Sequence, residues 1–306
     1  MSIRFDDRVV IVTGAGAGLG RSHALAFAER GAKVLVNDFG GAVDGSGASS
    51  AVAEKVAEEI RAAGGQAISH GADVSNAEQV TDMVSQAMAK WGRVDALVNN
   101  AGILRDASFA KMELNDFRKV LEVHVMGSVI CSKAVWQIMR EQNYGRILMT
   151  TSSSGLYGNF GQSNYGAAKM AVIGLMNVLQ LEGEKNNIRV NALAPGAATR
   201  MTESLLPPGV SELMKPEAVT PAALFLVSED APRRTILCAT AGGFSRTLIH
   251  ETEGVFIAES ERTPEAIAAR FDEISDTSGQ HLYTEGAGQV MKFMTKAAQA
   301  AGVRPS

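Results

Sequence analysis

The sequence predicts a doubly wound α/β fold: a parallel sheet of about seven strands with helices on both faces, followed by a C-terminal helical extension. Three observations carry that expectation. Short apolar runs alternate along the chain with longer segments whose apolar residues recur at helical spacing. The first run, Arg8-Val-Val-Ile-Val12, opens directly onto Thr13-Gly-Ala-Gly-Ala-Gly-Leu-Gly20. An Ala-rich stretch to Arg30 and a second run, Lys33-Val-Leu-Val36, then complete a strand, glycine loop, helix, strand unit. Residues 1–250 are expected to form one domain, with 251–306 packed on it as the extension.

The remaining elements follow in order. Residues 39–50, FGGAVDGSGASS, read as a long flexible loop because Gly, Ser and Ala dominate it. Val52, Val56 and Ile60 share one face of a helix from Ser50 to Ala63, and a short strand spans Gln66 to His70. Asp73-Val74 closes that strand ahead of a helix over 76–90. Val94-Asp-Ala-Leu-Val98 is a fourth strand running into Asn99-Asn100-Ala101-Gly102. A long helix, Asn115 to Gln142, is expected to be interrupted at Gly127 and to carry Phe117, Val120, Leu121 and His124 on one face. Arg146-Ile-Leu-Met-Thr-Thr is a buried strand, and a helix over 163–183 follows. Ile188 to Ala194 is a sixth strand ending in a turn at Pro195-Gly196. Residues 221–228 are helical, Thr235 to Thr240 is the seventh strand, and helices are expected near 264–275 and 286–300.

Bulk properties narrow the function. With 29 basic and 33 acidic side chains in 306 residues and no long basic run, a nucleic-acid partner is disfavoured. Cys131 and Cys238 show no paired spacing and the five histidines no ligand spacing, so neither a disulfide framework nor a metal site is expected. No run is long enough for a signal peptide or membrane span, and the C-terminal Arg-Pro-Ser is not a peroxisomal address; the expected compartment is the cytoplasm.

The glycine loop is the first candidate binding element. In such a loop the backbone approaches a pyrophosphate closely and turns into a helix whose free N–H groups bind anions. Gly14, Gly18, Leu19 and Gly20 are the expected contacts, although Gly14-x3-Gly18-x-Gly20 is one residue longer than GxGxxG. Asp38 follows the second strand, where a carboxylate accepts from the adenosine ribose hydroxyls and repels a 2′-phosphate, so NAD is expected over NADP. Asp73 and Val74 are placed beside the adenine, and Asn100, Ala101 and Gly102 against the dinucleotide.

The chemistry is expected in Ser152 to Lys169. Tyr165 and Lys169 stand four residues apart, hence one turn apart on one helix face, and Ser152 lies at a strand end thirteen residues before Tyr165. A phenol beside an ammonium, with a hydroxyl delivered to both, is an acid/base constellation. A free phenol has a pKa of about 10, and one ammonium at ~4 Å offers about the 4 kcal/mol needed to bring it to neutrality.

These motifs, in this order, are similar to those of the short-chain dehydrogenase/reductase family over about residues 5–250. Val36-Asn-Asp-Phe-Gly-Gly41, Asn99 to Asp106, Tyr157 to Tyr165, Ala194 to Thr202 and Thr263-Pro-Glu-Ala-Ile267 resemble more closely the dehydrogenase region of the type 2 multifunctional enzymes of peroxisomes, whose steroid-directed activity is called 17β-hydroxysteroid dehydrogenase type 4. The resemblance implies a Rossmann-type fold, a homodimer or homotetramer, NAD, and oxidation of (3R)-3-hydroxyacyl-CoA to 3-oxoacyl-CoA. A 17β-hydroxysteroid dehydrogenase is the alternative, and a noncatalytic dinucleotide-binding protein the alternative from another class. The hydratase and sterol-carrier regions of those enzymes are not in this sequence, so only the oxidoreductase step is expected. By the same resemblance Ser152, Tyr165 and Lys169 are catalytic, Pro195, Gly196, Thr199 and Thr202 border the nicotinamide, and His124 replaces a family Asn on the proton path to Lys169.

Overall fold

The computed structural model describes residues 2–47, 49, 51–199, 209 and 211–303, which fall into two compact units, Met1–Arg246 and Thr247–Ser306. The first unit is built on strands β1 (Val9–Thr13), β2 (Lys33–Asn37), β3 (Gln66–His70), β4 (Ala96–Asn99), β5 (Gly145–Thr150), β6 (Ile188–Gly196) and β7 (Ile236–Thr240). Its helices are α1 (Gly18–Glu29), α2 (Ala51–Ala62), α3 (Ala77–Trp91), α4 (Leu114–Leu121), α5 (Gly127–Gln142), α6 (Ser153–Tyr157), α7 (Ser163–Gly183) and α8 (Thr220–Leu226). With an edge strand β8 (Gly243–Thr247), the sheet order is β3-β2-β1-β4-β5-β6-β7-β8, with parallel pairing from β3 through to β7. Sequence order reverses between β1 and β4, the position where a doubly wound sheet opens a crevice at its C-terminal edge.

Strand alternation divides the core into two layers. Val10, Val12, Val34 and Val36 face one side, against Phe27 of α1, Val56 and Ile60 of α2 and Leu224 of α8. Ile11, Leu35, Leu97 and Ile147 face the other, against Met83 of α3, Val135 and Met139 of α5 and Met176 of α7. Each of these side chains is almost wholly withdrawn from water, and each stabilises the fold by roughly 1.5–3 kcal/mol through burial. Strands buried on both faces lack a period-two pattern, which is why they read in the sequence as continuous apolar runs.

Four features differ from the sequence expectation. The sheet has an eighth strand, β8 (Gly243–Thr247), after a two-residue turn in which Ala241 (φ 48°) and Gly242 (φ 80°) are both left-handed. Its residues are exposed or half-buried, so no apolar run announced it. The helix expected over 115–142 is not broken at Gly127; a π-helical turn, Glu122–Met126, joins α4 to α5 and places His124 within it. Pro195-Gly196 continues β6 and pairs with Ala239 and Thr240, whereas pairing with β5 stops at Leu193. Pro195 therefore sits where one flank of the strand needs no N–H donor. The helix expected over 264–275 divides at Arg270.

In the second unit, α9 (Pro264–Ala269), α10 (Phe271–Ile274) and α11 (Gly286–Ala300) are tied to an isolated bridge between Glu251 and His281. Lys292 pairs with Glu251 at 2.7 Å, and Glu253 is bracketed by His281 and Lys296, which hold its carboxyl down at about 2. Among the described residues no helix is long and apolar enough to cross a membrane.

His23 of α1 is buried against α8, its Nδ1 2.8 Å from Thr220 Oγ1, and burial lowers its pKa from 6.5 to about 4. The unfolded chain then binds the extra proton between those values, so stability is full above pH 6.5 and falls by about 3 kcal/mol as pH drops to about 4. Denaturant titrations at pH 7 and 4.5 should register this loss, and His23→Gln should reduce it; equal losses in both proteins would place the acid sensitivity elsewhere.

Candidate functional site

At the crevice between β1 and β4 the two strand ends are knitted together. Thr13 Oγ1 donates to the Val98 carbonyl at 3.2 Å and accepts the N–H groups of Asn100 and Ala101 at 3.0 and 3.1 Å. Asn100 Nδ2 donates in turn to the carbonyls of Thr13 and Gly14 at 2.9 and 3.0 Å. This closeness sets the composition of the loop. Gly14 has φ 63°, and a Cβ on it would stand 2.7 Å from Ala101 Cα. One on Gly16 would stand 2.8 Å from Asp38 Oδ2, and one on Gly20 would strike the Gly14 carbonyl. Among the described residues no side chain caps the first turn of α1, so its leading N–H groups keep their capacity for an anion.

That first turn lines a cavity of about 490 Å³. Gly14, Gly18, Leu19, Gly20, Asp38, Asp73, Val74, Asn100, Ala101, Gly102 and Thr199 all border it. Asp38 also braces the walls: Oδ2 accepts from Gly16 N at 2.8 Å and Oδ1 from Gly40 N at 2.7 Å. A glycine cradle, an uncapped helix start and a carboxylate at the end of the second strand together fit a dinucleotide. The loop read as flexible, 39–50, contributes Phe39, Val43 and Gly45 to the same cavity. It is tied across the cleft by Leu104 N–H to the Val43 carbonyl at 3.0 Å and Arg105 Nε to the Asp44 carbonyl at 2.9 Å.

The residues expected to carry chemistry lie beyond the cavity lining. Ser152 follows β5 as the N-cap of α6, its Oγ accepting the Ser154 N–H at 3.1 Å. Tyr165 and Lys169 stand one turn apart on α7, and the Ser152 hydroxyl acts on the Tyr165 phenol to favour its ionised form. Gly102, at the cavity wall, backs onto the His124 imidazole, and His124 meets the Tyr165 ring edge-to-face at 5.2 Å between centroids. Cavity, imidazole and phenol are thus successive layers.

The electrostatics depart from the sequence expectation. Burial pushes the Tyr165 hydroxyl up to about 12, opposed by the Ser152 hydrogen bond and reinforced by the Asp106 charge. Lys169 does not offset this: its Nζ donates to the Thr150 carbonyl at 2.7 Å, 5.4 Å from the Tyr165 ring centroid, and burial lowers its own pKa to about 7. Position on one helix face was correctly read, but the ammonium is aimed at a strand carbonyl and is itself desolvated. His124 is held well below 6.5 by burial and by Lys169, and is therefore neutral at pH 7. Its Nε2 lies 3.0 Å from the N and 2.8 Å from the O of Ile103, while among the described residues Nδ1 has no partner.

Pro195 and Gly196 close β6, and a Cβ on Gly196 would strike Thr240. Thr202 lies outside the described residues. Sequence reasoning passed over Lys119 and Val123, which stand four apart and border the cavity, and over Ile103. The four-residue spacing was available, but the π-helical turn that carries Val123 has no sequence signature.

The profile described as short chain dehydrogenase matches residues 8–208. The chain belongs to the short-chain dehydrogenase family. It is an oxidoreductase of the class acting on CH–OH groups. It is similar to peroxisomal multifunctional enzyme A of Dictyostelium discoideum, with 48% identity over 275 residues, 90% of this chain and 61% of the relative. Among solved structures it resembles full-length peroxisomal multifunctional enzyme type 2 of Drosophila melanogaster, with a TM-score of 0.80, 35% identity, and coverage of 97% of this chain and 50% of that one. It also resembles a 7α-hydroxysteroid dehydrogenase complexed with NADH and 7-oxo glycochenodeoxycholic acid, with a TM-score of 0.71, 32% identity, and coverage of 78% and 95%. The chain spans about three fifths of the Dictyostelium protein and half of the Drosophila one.

Gly20→Ala tests the cradle. The added methyl forces Gly14 and Asn100 apart and is expected to weaken NADH binding by about tenfold or more, read by fluorescence titration. Parent-like affinity would show that the loop does not hold the dinucleotide.

Proposed function

We propose that this dehydrogenase interconverts (3R)-3-hydroxyacyl-CoA and 3-oxoacyl-CoA with NAD(H). The observation that carries this reading is the convergence of Ser152, Tyr165 and Lys169 next to a glycine-lined cavity with Asp38 at its adenosine end. The likeness to the multifunctional enzymes supports the acyl-CoA substrate that the sequence resemblance implies, and the NADH-bound hydroxysteroid dehydrogenase supports the cofactor. That same structure favours a second reading, a hydroxysteroid substrate. A pure binder has no use for the Ser–Tyr–Lys set.

Gly14, Gly18, Leu19 and Gly20 would hold the pyrophosphate, Asp38 the adenosine ribose, Asp73 and Val74 the adenine, and Thr199 the nicotinamide end. A bound NAD(H) would supply hydride-transfer chemistry at the carbinol carbon. Tyr165 carries the proton. With its pKa at about 12 it is protonated at neutral pH and donates to the oxygen of a ketone; in the oxidative direction it accepts the hydroxyl proton of the alcohol. Ser152 Oγ, fixed by the Ser154 N–H, hydrogen-bonds the substrate oxygen and stabilises charge developing on it. Lys169, with a pKa of about 7, passes protons behind the phenol, and neutral His124 keeps the Tyr165 ring in place.

We also propose a homodimer or homotetramer, supported by exposed Met126, Met170, Val178 and Leu181 on the π-helical turn and α7. The two cysteines show no paired spacing in the sequence, and the compartment in our reading is the cytoplasm. The peroxisomal relatives make a peroxisome the alternative.

Tyr165→Phe is expected to lower NAD-dependent turnover by about 10³-fold or more, on a panel of 3-hydroxyacyl-CoA epimers and hydroxysteroids. Retention of most activity would remove Tyr165 from its role, and turnover confined to steroids would select the second reading. Oxidation requires the deprotonated phenol, so its kcat/KM should rise from pH 7 towards pH 10 and reduction should not. Asp38→Ala should cut the preference for NAD over NADP by about tenfold, measured as the ratio of kcat/KM values.

A further inference from the structure

Gln162 precedes α7 and is buried, with 8% of its surface exposed. Its side-chain amide has a partner at every position that matters. Oε1 accepts from Ser154 Oγ at 2.7 Å and from Asn159 Nδ2 at 3.0 Å, and Nε2 donates to Asp106 Oδ2 at 2.7 Å. Rotating the amide by half a turn would set its NH₂ against another NH₂ and its oxygen against a carboxylate, so one orientation alone satisfies the set. Two backbone-level ties bracket it: Ala107 N–H to the Gly161 carbonyl at 2.9 Å, and Asn164 Nδ2 to the Arg105 carbonyl at 2.8 Å.

Both arms of this amide reach Tyr165. Through Ser154, whose N–H is the donor to Ser152 Oγ, Gln162 fixes the first turn of α6 and hence the hydroxyl that acts on the phenol. Through Asp106 it holds a carboxylate whose charge acts on the same phenol. The charged or titratable groups facing Tyr165 are Lys169 from α7, His124 from the π-helical turn and Asp106 from the loop after β4. Asp106 is the carboxylate among them, and the buried Gln162 side chain tethers it.

We propose that Gln162 is a positioning residue for the acid–base pair, its amide setting Asp106 and the Ser152–Ser154 turn on either side of Tyr165. This rests on the reading of Tyr165 as the proton carrier. Because Gln162 does not border the dinucleotide cavity, its influence should fall on proton transfer and leave cofactor affinity alone.

A charge-swap series tests it, with (3R)-3-hydroxydecanoyl-CoA and NAD as the probe. Gln162→Glu keeps the volume but sets two carboxylates face to face, and should lower kcat about tenfold with NADH affinity within about twofold of the parent. Adding Asp106→Asn restores a donor–acceptor pair and should return kcat to within about threefold of the parent. Asp106→Asn alone removes the anion and should move the pH profile of oxidation about half a unit lower. Amide hydrogen exchange over 105–107 and 152–156, read without substrate, should rise in Gln162→Glu and fall back in the double variant. Parent-like turnover and exchange in Gln162→Glu, or a double variant no better than the single, overturns the inference. If Tyr165→Phe is inactive while the Gln162 series matches the parent, this inference alone falls; an active Tyr165→Phe removes the underlying site reading.

Discussion

Asn100 and Thr13 hold the ends of two adjacent parallel strands so close that the loop between them and α1 has almost no room for side chains. The rest of the site depends on this. With a Cβ excluded at Gly14, Gly16 and Gly20, the backbone itself becomes the wall of the cavity, and the uncapped start of α1 becomes its polar floor. Asp38 completes the wall while bonding to two backbone N–H groups, so one carboxylate both shapes the cleft and sets its charge. Binding geometry and fold stability are the same hydrogen bonds here.

Behind that wall the balance changes from close backbone approach to desolvation. Tyr165, Lys169 and His124 are brought together by a helix and a π-helical turn, and burial moves each toward its neutral form. Neutral groups in contact cost less than three buried charges would, which lets the cluster exist before any ligand arrives. The Thr150 carbonyl accepts from Lys169 Nζ, and the Ile103 backbone meets His124 Nε2, so both nitrogens find partners within the chain. The π-helical turn is the local irregularity that makes this packing possible, as such turns commonly are at functional sites.

Much of this was legible in the sequence because it is local. Strand, glycine loop and helix follow one another without interruption, and the four-residue spacing of Tyr165 and Lys169 needs only a helix to become a shared face. What could not be read depends on distance or on direction. β8 has no apolar run because it is exposed; Pro195 could be taken for a turn because only the sheet reveals that β5 has already ended beside it. Lys169 was placed correctly, yet the carbonyl that claims its ammonium belongs to another element. Loop 39–50 has the composition of a free loop, yet Leu104 and Arg105, more than fifty residues away, bond to its Val43 and Asp44 carbonyls.

That last attachment has a wider meaning. Leu104 and Arg105 hook the loop over the cofactor cleft, and the next residue, Asp106, bonds to Gln162 beside the phenol. Three consecutive residues therefore anchor both the loop that borders the cavity and the amide beside the phenol, so a substitution that displaces this tripeptide would disturb both at once.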